Sequence, residues 1–412
     1  MDIAIVGYGT AGQAVSLFLA QQGHRLEIFE RAPEPGPVGA GVLLQPTGLS
    51  VLAQLGRFEA AIACGERIHR LCGETSGGRR ILDMAYAGLD PAWFGLGIQR
   101  GALFELLRDP SLTPALRAGT RIERVDSSSG LLWDDAGRKH GPYDLVIVAG
   151  GAASTLRSGA VVRRDRPYRW GALWGLCVDA ERRFHGRLQQ RYAAARRMAG
   201  VLPVGRLPGE PESARRVALF WSLPEDAIPA AMARDVSLWR HEVTQLWPEA
   251  RPLADSIGDM RQLAPGCYRD TVLARYYEGR VAWLGDAAHS MSPQLGQGAN
   301  LALLDAAALA RCLAGTPNRA SALAAFDRER RSHVWIYQFI SRWLTPLFQS
   351  DLDRAAALRD RFFDPLARMP FLRTEMLKVL AGVKRGLFGT TGVPPLPATS
   401  AELQSPVESG AT

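Results

Sequence analysis

The chain opens on an apolar run, Ile3-Ala4-Ile5-Val6, that passes directly into Gly7-Tyr8-Gly9-Thr10-Ala11-Gly12. Residues 13–22 carry apolar positions at helical spacing, Gly23 supplies a stop, and Arg25–Phe29 reads as a second strand ending at Glu30. Residues 52–55 are helical, His69–Trp93 breaks into short strands, and Arg100–Arg108 starts another helix. Residues 120–132 give strands about a Ser127-Ser128-Ser129-Gly130 turn. Leu145-Val146-Ile147-Val148 is apolar without alternation, as a strand covered on both faces must be. From Tyr168 the character changes. Trp170–Asp179, Arg187–Arg196, Val201–Val204 and Arg216–Trp221 alternate or run apolar in short pieces, and Asp226–Trp247 reads as helix. A further apolar strand, Val281–Leu284, leads through a Gly-rich turn into a helix over Leu301–Leu313. Leu323–Leu344 is a long helix that Pro346 is expected to end. Its apolar stripe (Trp335, Ile336, Phe339, Ile340, Trp343, Leu344) is expected to pack on the protein's own lobes or a dimer mate, with a peripheral membrane face as the alternative. Residues 390–412, rich in Pro, Ser, Thr and Gly, read as a mobile tail, and no internal repeat is present.

Two of these strand-to-helix junctions carry chemistry. At the first, Gly7 makes a tight turn, Gly9 lets a pyrophosphate approach the backbone, Gly12 packs helix on strand, and Glu30 can bind an adenosine ribose. Glu30 alone does not separate NAD from FAD, and Arg31 beside it also fits a 2′-phosphate. At the second, Asp286 ends a strand where it can accept a hydrogen bond from a ligand hydroxyl. Gly296 and Gly298 then admit a ligand to the backbone, and the helix that follows offers free N–H groups and a positive dipole end.

With both junctions in place, the chain resembles the single-component FAD-dependent aromatic hydroxylases, the flavoprotein monooxygenase family related to 4-hydroxybenzoate and salicylate hydroxylases. The resemblance covers most of residues 1–330. It implies an α/β fold: a Rossmann-like FAD-binding lobe of the glutathione-reductase type, an inserted mixed-sheet substrate lobe and a C-terminal helical extension. The expected bounds are 1–168 and 270–322 for the FAD lobe, with 66–98 partly serving the substrate lobe, then 169–269 for the substrate lobe, 323–389 for the helical region and 390–412 for the tail. By position, the resemblance implies ADP contacts at Gly7, Gly9, Ala11, Gly12, Glu30 and Arg31. It implies flavin-side contacts at Asp286, Pro293, Gly296, Gly298, Ala299 and Asn300. Val42, in the Gly39–Val42 loop, is expected over the flavin, Arg100 near the cofactor phosphates and Val125 beside the adenine. The implied chemistry is reduction of FAD by NADPH or NADH, addition of O2 as a flavin 4a-hydroperoxide, and oxygen transfer to an aromatic or other electron-rich, lipophilic small molecule.

One departure bears on the reductive step. The family's third motif begins with an Asp that this chain replaces with Gly150, although Ser154 and Arg157 fit. A smaller one is Leu304, where an acid commonly precedes Asp305. Two alternatives therefore stand beside the monooxygenase: a reductase or dehydrogenase of the same fold, and a flavin-binding protein without turnover. For the dry cavity the candidates are Trp170, Trp174 and Trp221; for a base, Tyr192 and His185. His289 reads as architectural.

Composition narrows the rest. The 412 residues are 47% hydrophobic, enough for a large core, and the net charge of +8 is spread along the chain without a nucleic-acid motif. The five cysteines form no CxxC pair and the seven histidines no metal spacing, so reduced thiols and no metal are expected. Without a signal peptide or an apolar run of spanning length, the expectation is a cytoplasmic monomer or homodimer.

Overall fold

The computed structural model describes residues 1–36 and 39–398; the tail expectation over 399–412 lies outside them, and 391–398 carry no helix or strand. A six-stranded sheet runs in the order 277–278, 281–283, 145–148, 2–6, 25–30, 116–118. All its pairs are parallel except the first. Val6 lies opposite both Phe29 and Val148, and Val148 opposite Trp283. Three strands thus end in line, and the turns that follow them open at one carboxyl edge of the sheet, where α/β folds bind ligands. Leu145, Val146, Ile147 and Val148 are all fully buried. Helices flank this sheet, among them Thr10–Gln21 and Gly298–Ala314.

The second sheet has seven strands, ordered 264–266, 170–178, 216–224, 197–205, 187–193, 70–75, 80–85. It is mixed, because 187–193 pairs parallel to 70–75 while the other pairs are antiparallel. Side chains alternate across it. Leu173, Cys177, Val201, Leu219 and Trp221 pack under helices that carry Trp239 and Leu253. Ala172, Trp174, Leu188, Met198, Leu202 and Phe220 face the other way, into a cavity. The expected helix over Asp226–Trp247 is two, Ile228–Ala233 and Val236–Leu246, because Asp235 starts the second by accepting from the Ser237 N–H.

The long helix runs Arg319–Phe348, straight through Pro346. Proline removes one N–H and crowds the carbonyl four residues back. Only one turn from the helix end, that loss stays local: Gln349 still donates to the Thr345 carbonyl at 2.7 Å. The apolar stripe divides. Ile336, Ile340 and Leu344 line the cavity, whereas Trp335 and Trp343 are exposed, Trp335 stacking on Phe339 at 5.5 Å. Helices Asp353–Arg368 and Pro370–Leu380 and a short hairpin, 384–390, complete the chain. Among the described residues no helix is long and apolar enough to cross a membrane, and no His/Cys/Asp/Glu group could hold a metal.

Candidate active site

A cavity of about 1460 Å³ runs from the carboxyl edge of the parallel sheet to the inner face of the mixed sheet. Typical pockets for drug-sized ligands span about 300–1000 Å³, so this one has room for a large cofactor and a second molecule.

Its first end is built from the opening strand–turn–helix unit. Gly7 has φ +106°, and a Cβ there would meet the Ala149 carbonyl oxygen at 2.5 Å. A Cβ on Gly12 would lie 1.9 Å from the Gly7 oxygen, so the bare glycine lets the helix start against the turn. Gly9, by contrast, faces open space. The Glu30 carboxylate accepts from the backbone N–H groups of Tyr8 (2.8 Å) and Ala32 (2.9 Å). Those bonds fix it at the cavity wall beside Arg31, with lone pairs left for a ligand hydroxyl.

The second end comes from the strand 281–283. Gly285 turns at φ +57° and gives its N–H to Asp305 at 2.8 Å. Asp305 is fully buried; it also binds His289 at 2.6 Å and Arg330 at 2.7 Å. Burial alone would raise the Asp305 pKa, but the His289 and Arg330 contacts overcome it and hold the carboxyl down at about 2. Arg330 continues to His333 at 2.7 Å, and His333 donates to the Gly382 carbonyl at 2.9 Å. Next to this braced turn, Asp286 lines the cavity and its carboxylate accepts no hydrogen bond from another described residue. Arg157 of the third motif clamps the neighbourhood, donating to the carbonyls of Ala287 (2.7 Å), Ser154 (2.6 Å) and Ala152 (2.8 Å).

The structure gathers most of the expected positions on this one cavity: Gly7, Gly9, Ala11, Glu30 and Arg31 at one end, then Val42 and Arg100, then Asp286, Pro293, Gly296, Gly298 and Ala299. Arg100 opens its helix against Gly39, its N–H donating to Ala40 at 3.0 Å. Three positions differ. Gly12 acts beneath the lining rather than on it. Asn300 is fully buried and its side chain is used internally: it accepts from Gln45 N–H at 2.8 Å and donates to Leu43 and Gly296 carbonyls at 3.1 Å. It ties the strand 41–44 to the helix entry, so any contact it makes with a ligand falls to its backbone in the uncapped first turn. Val125 is off the cavity. Gly119 and Thr120 bond to Ala32 and Glu30, so Thr120, Arg121 and Ile122 reach the lining while Val125 pairs with Leu132 in a separate sheet.

These features fit FAD. Helices 10–21 and 298–314 both begin without a side-chain cap, and both starts lie on the cavity, so free N–H groups face where a pyrophosphate would bridge them. Glu30 at one end and Asp286 at the other suit the two polyol segments of such a nucleotide. A Cβ added at Gly150 would lie no closer than 3.4 Å to Ser154, so the missing acid is not excluded by space.

Of the other candidates, Trp174 and Tyr192 line the cavity; Trp170 and Trp221 do not. Trp221 packs under the helical cover. His185 lies outside the cavity, paired with Glu66 and Arg182. Tyr192 donates to Gln190 at 2.6 Å, and burial pushes its pKa far up, which unsuits it as a base. Tyr268 was invisible to motif reading. It lines the cavity, accepts from the Trp174 indole at 3.1 Å, and its own proton has no acceptor among the described residues. Burial raises its pKa to about 12, so it is a hydrogen-bond donor at neutral pH.

The comparisons with known proteins agree with this geometry. The FAD binding domain family matches residues 144–338. The 3-amino-4-hydroxybenzoate 2-monooxygenase of Streptomyces cremeus is 31% identical over 76% of this chain and 79% of its own length. The aurachin C monooxygenase/isomerase of Stigmatella aurantiaca is 27% identical over 80% of this chain and 85% of its own. Among solved structures, Klebsiella pneumoniae HpxO complexed with FAD and uric acid superposes with a TM-score of 0.78 at 21% identity, covering 93% of this chain and 97% of that one. The chain belongs to the FAD-dependent aromatic monooxygenase family. It is an oxidoreductase with FAD as cofactor, and NAD(P)H is the donor general to that family.

Proposed function

We propose that this enzyme hydroxylates a neutral, lipophilic, electron-rich aromatic ring, with FAD held between Glu30 and Asp286. The observation that carries this reading is one cavity with two chemistries. Glycine turns, helix starts and two acids form one end, and an apolar sheet face forms the other. When bound, FAD takes electrons from NAD(P)H and passes them to O2, so that one oxygen atom enters the substrate. The chain's part is position and dryness. The two helix starts would hold the pyrophosphate, Glu30 and Asp286 would hold the polyol segments, and Arg157 and Asp305 keep the Asp286 turn in place. Trp174, Phe220 and Leu202 exclude water, and Tyr268 orients the substrate by donating to a ring oxygen or nitrogen.

The apolar lining around Trp174, Leu202 and Phe220 favours a neutral ring. Among the described residues, the charged groups on the lining between the long helix and helix 370–380 are Glu375 and Lys384, which pair with each other, while Arg100 lines the cavity within electrostatic reach of Tyr268. A benzoate-type substrate, as in the name of the Streptomyces relative, would set its carboxylate against apolar side chains unless it turned towards Arg100, so benzoates are the comparison for the neutral rings. The test is anaerobic reduction with NADH or NADPH, then an oxygen pulse in the presence of phenols, indoles and quinolones, with product masses measured. A gain of one oxygen atom on a neutral ring is expected. Failure of both nicotinamides to bleach the flavin would move the protein to the reading without turnover.

A further inference from the structure

The apolar end continues well beyond the size of a ring. On the long helix, Ile336, Ile340, Leu344 and Phe348 line it at every fourth residue, a stripe of roughly 18 Å at 1.5 Å per residue. On helix 370–380, Leu372, Met376 and Leu380 repeat the spacing on a facing wall. Leu188, Met198 and Leu202 of the mixed sheet close the channel from below. Among the described residues the charged pair on this stretch, Glu375 with Lys384, is joined by Lys378. At the rim the lining stays apolar where the surface begins: Phe371 is 73% exposed and Phe388 92%. A long groove of this kind, floored and roofed by aliphatic side chains and open at its end, exceeds what a hydroxylated ring requires.

We propose that this channel binds an aliphatic chain, and that the substrate is an amphiphile: a neutral aromatic head at the Tyr268 end and an alkyl or isoprenoid tail lying between helices 319–348 and 370–380 and the sheet. Which end takes the head rests on the function proposed above; the tail site rests on the lining alone. The tail gains free energy by leaving water, without needing any directional contact. It also brings the substrate to the open rim, where Phe371 and Phe388 already present an apolar surface.

The test is equilibrium binding to the FAD-loaded enzyme of a series of 4-alkylphenols, methyl, propyl, pentyl, heptyl and nonyl, read by tryptophan fluorescence. The expected result is a Kd that falls about fourfold per added methylene, the value for transfer of a CH2 out of water, and levels off once the chain reaches the rim. In Leu372→Trp, and independently in Met376→Trp, the indole fills the channel and the fall should stop at a shorter chain than in the wild type. A Kd independent of chain length, binding by no member, or a full gain retained in both variants would each overturn the tail site. Because binding needs no turnover, the two proposals fail separately. Long phenols that bind without being oxygenated would refute only the hydroxylation reading. Efficient oxygenation of short phenols with no length dependence would refute only the tail.

Discussion

His333 gives a quantitative handle on the brace behind the Asp286 turn. It is 1% exposed, accepts from Arg330 at one ring nitrogen and donates to the Gly382 carbonyl from the other, so the folded ring is neutral. Burial first, and then the Arg330 charge, lower its pKa from 6.5 to about 3. In the unfolded chain it takes a proton near its ordinary value. The folded pKa is the depressed one, so the stabilisation is present above pH 6.5 and is lost as pH falls towards 3. Linkage puts the loss from this one group at about 0.8 kcal/mol at pH 6 and about 2 kcal/mol at pH 5. His333→Gln keeps an amide donor for Gly382 and cannot titrate. Urea unfolding at pH 7 and pH 5, followed by fluorescence, should therefore show the stability gap between wild type and variant shrinking by about 2 kcal/mol at the lower pH. Asp305, held at about 2, is ionised across this window, and the other histidines are common to both proteins. A gap that stays constant from pH 7 to pH 5 would refute the assignment of His333 as a buried neutral group.

Glycines 9 and 12 should separate cofactor space from fold space. Gly9→Ala adds a methyl to open cavity, so thermal unfolding of the apoprotein should be unchanged while FAD binds at least about tenfold more weakly, about 1.4 kcal/mol; Gly12→Ala collides with the Gly7 oxygen and should cost about 1–3 kcal/mol of apoprotein stability. Asp286→Ala removes a charged acceptor worth about 1.5–3 kcal/mol, and unchanged FAD affinity in a flavin fluorescence titration would rule out its place at the polyol chain. Gly150→Asp puts its Cβ in ordinary contact with Ser154 and should speed anaerobic flavin reduction by restoring an acceptor for the nicotinamide; stopped-flow rates that fall or stay level would reject that account of the departure.

The cofactor end was legible because each of its motif residues has a local task. Gly7, Gly9, Gly12 and Glu30 are set by one turn and one strand edge, and a turn's requirements lie within a few residues of it. Pro346 was misread for the complementary reason: a proline's damage depends on how much helix follows it, and here only Leu347 and Phe348 do. The Asn300 side chain and Val125 are placed by partners far away in sequence, Gln45 and Leu43 for the first and the Gly119–Thr120 contacts with Ala32 and Glu30 for the second. The His289–Asp305–Arg330–His333–Gly382 chain was hidden in the same way, since no local pattern brings a helix at 305 to a hairpin near 382. The substrate end raises a deeper difficulty. Its strands alternate as the sequence said they would, but alternation tells only that a face is apolar, not what it covers. Leu173 and Trp174 are neighbours with opposite fates, one under the helical cover and one on the cavity. Apolar contact is non-directional, so a chain can specify a dry channel of given length and bore without any residue whose type announces the ligand. That is why FAD was readable from a dozen residues, whereas the substrate class proposed above rests on the spacing of Ile336, Ile340, Leu344 and Phe348 against a facing wall.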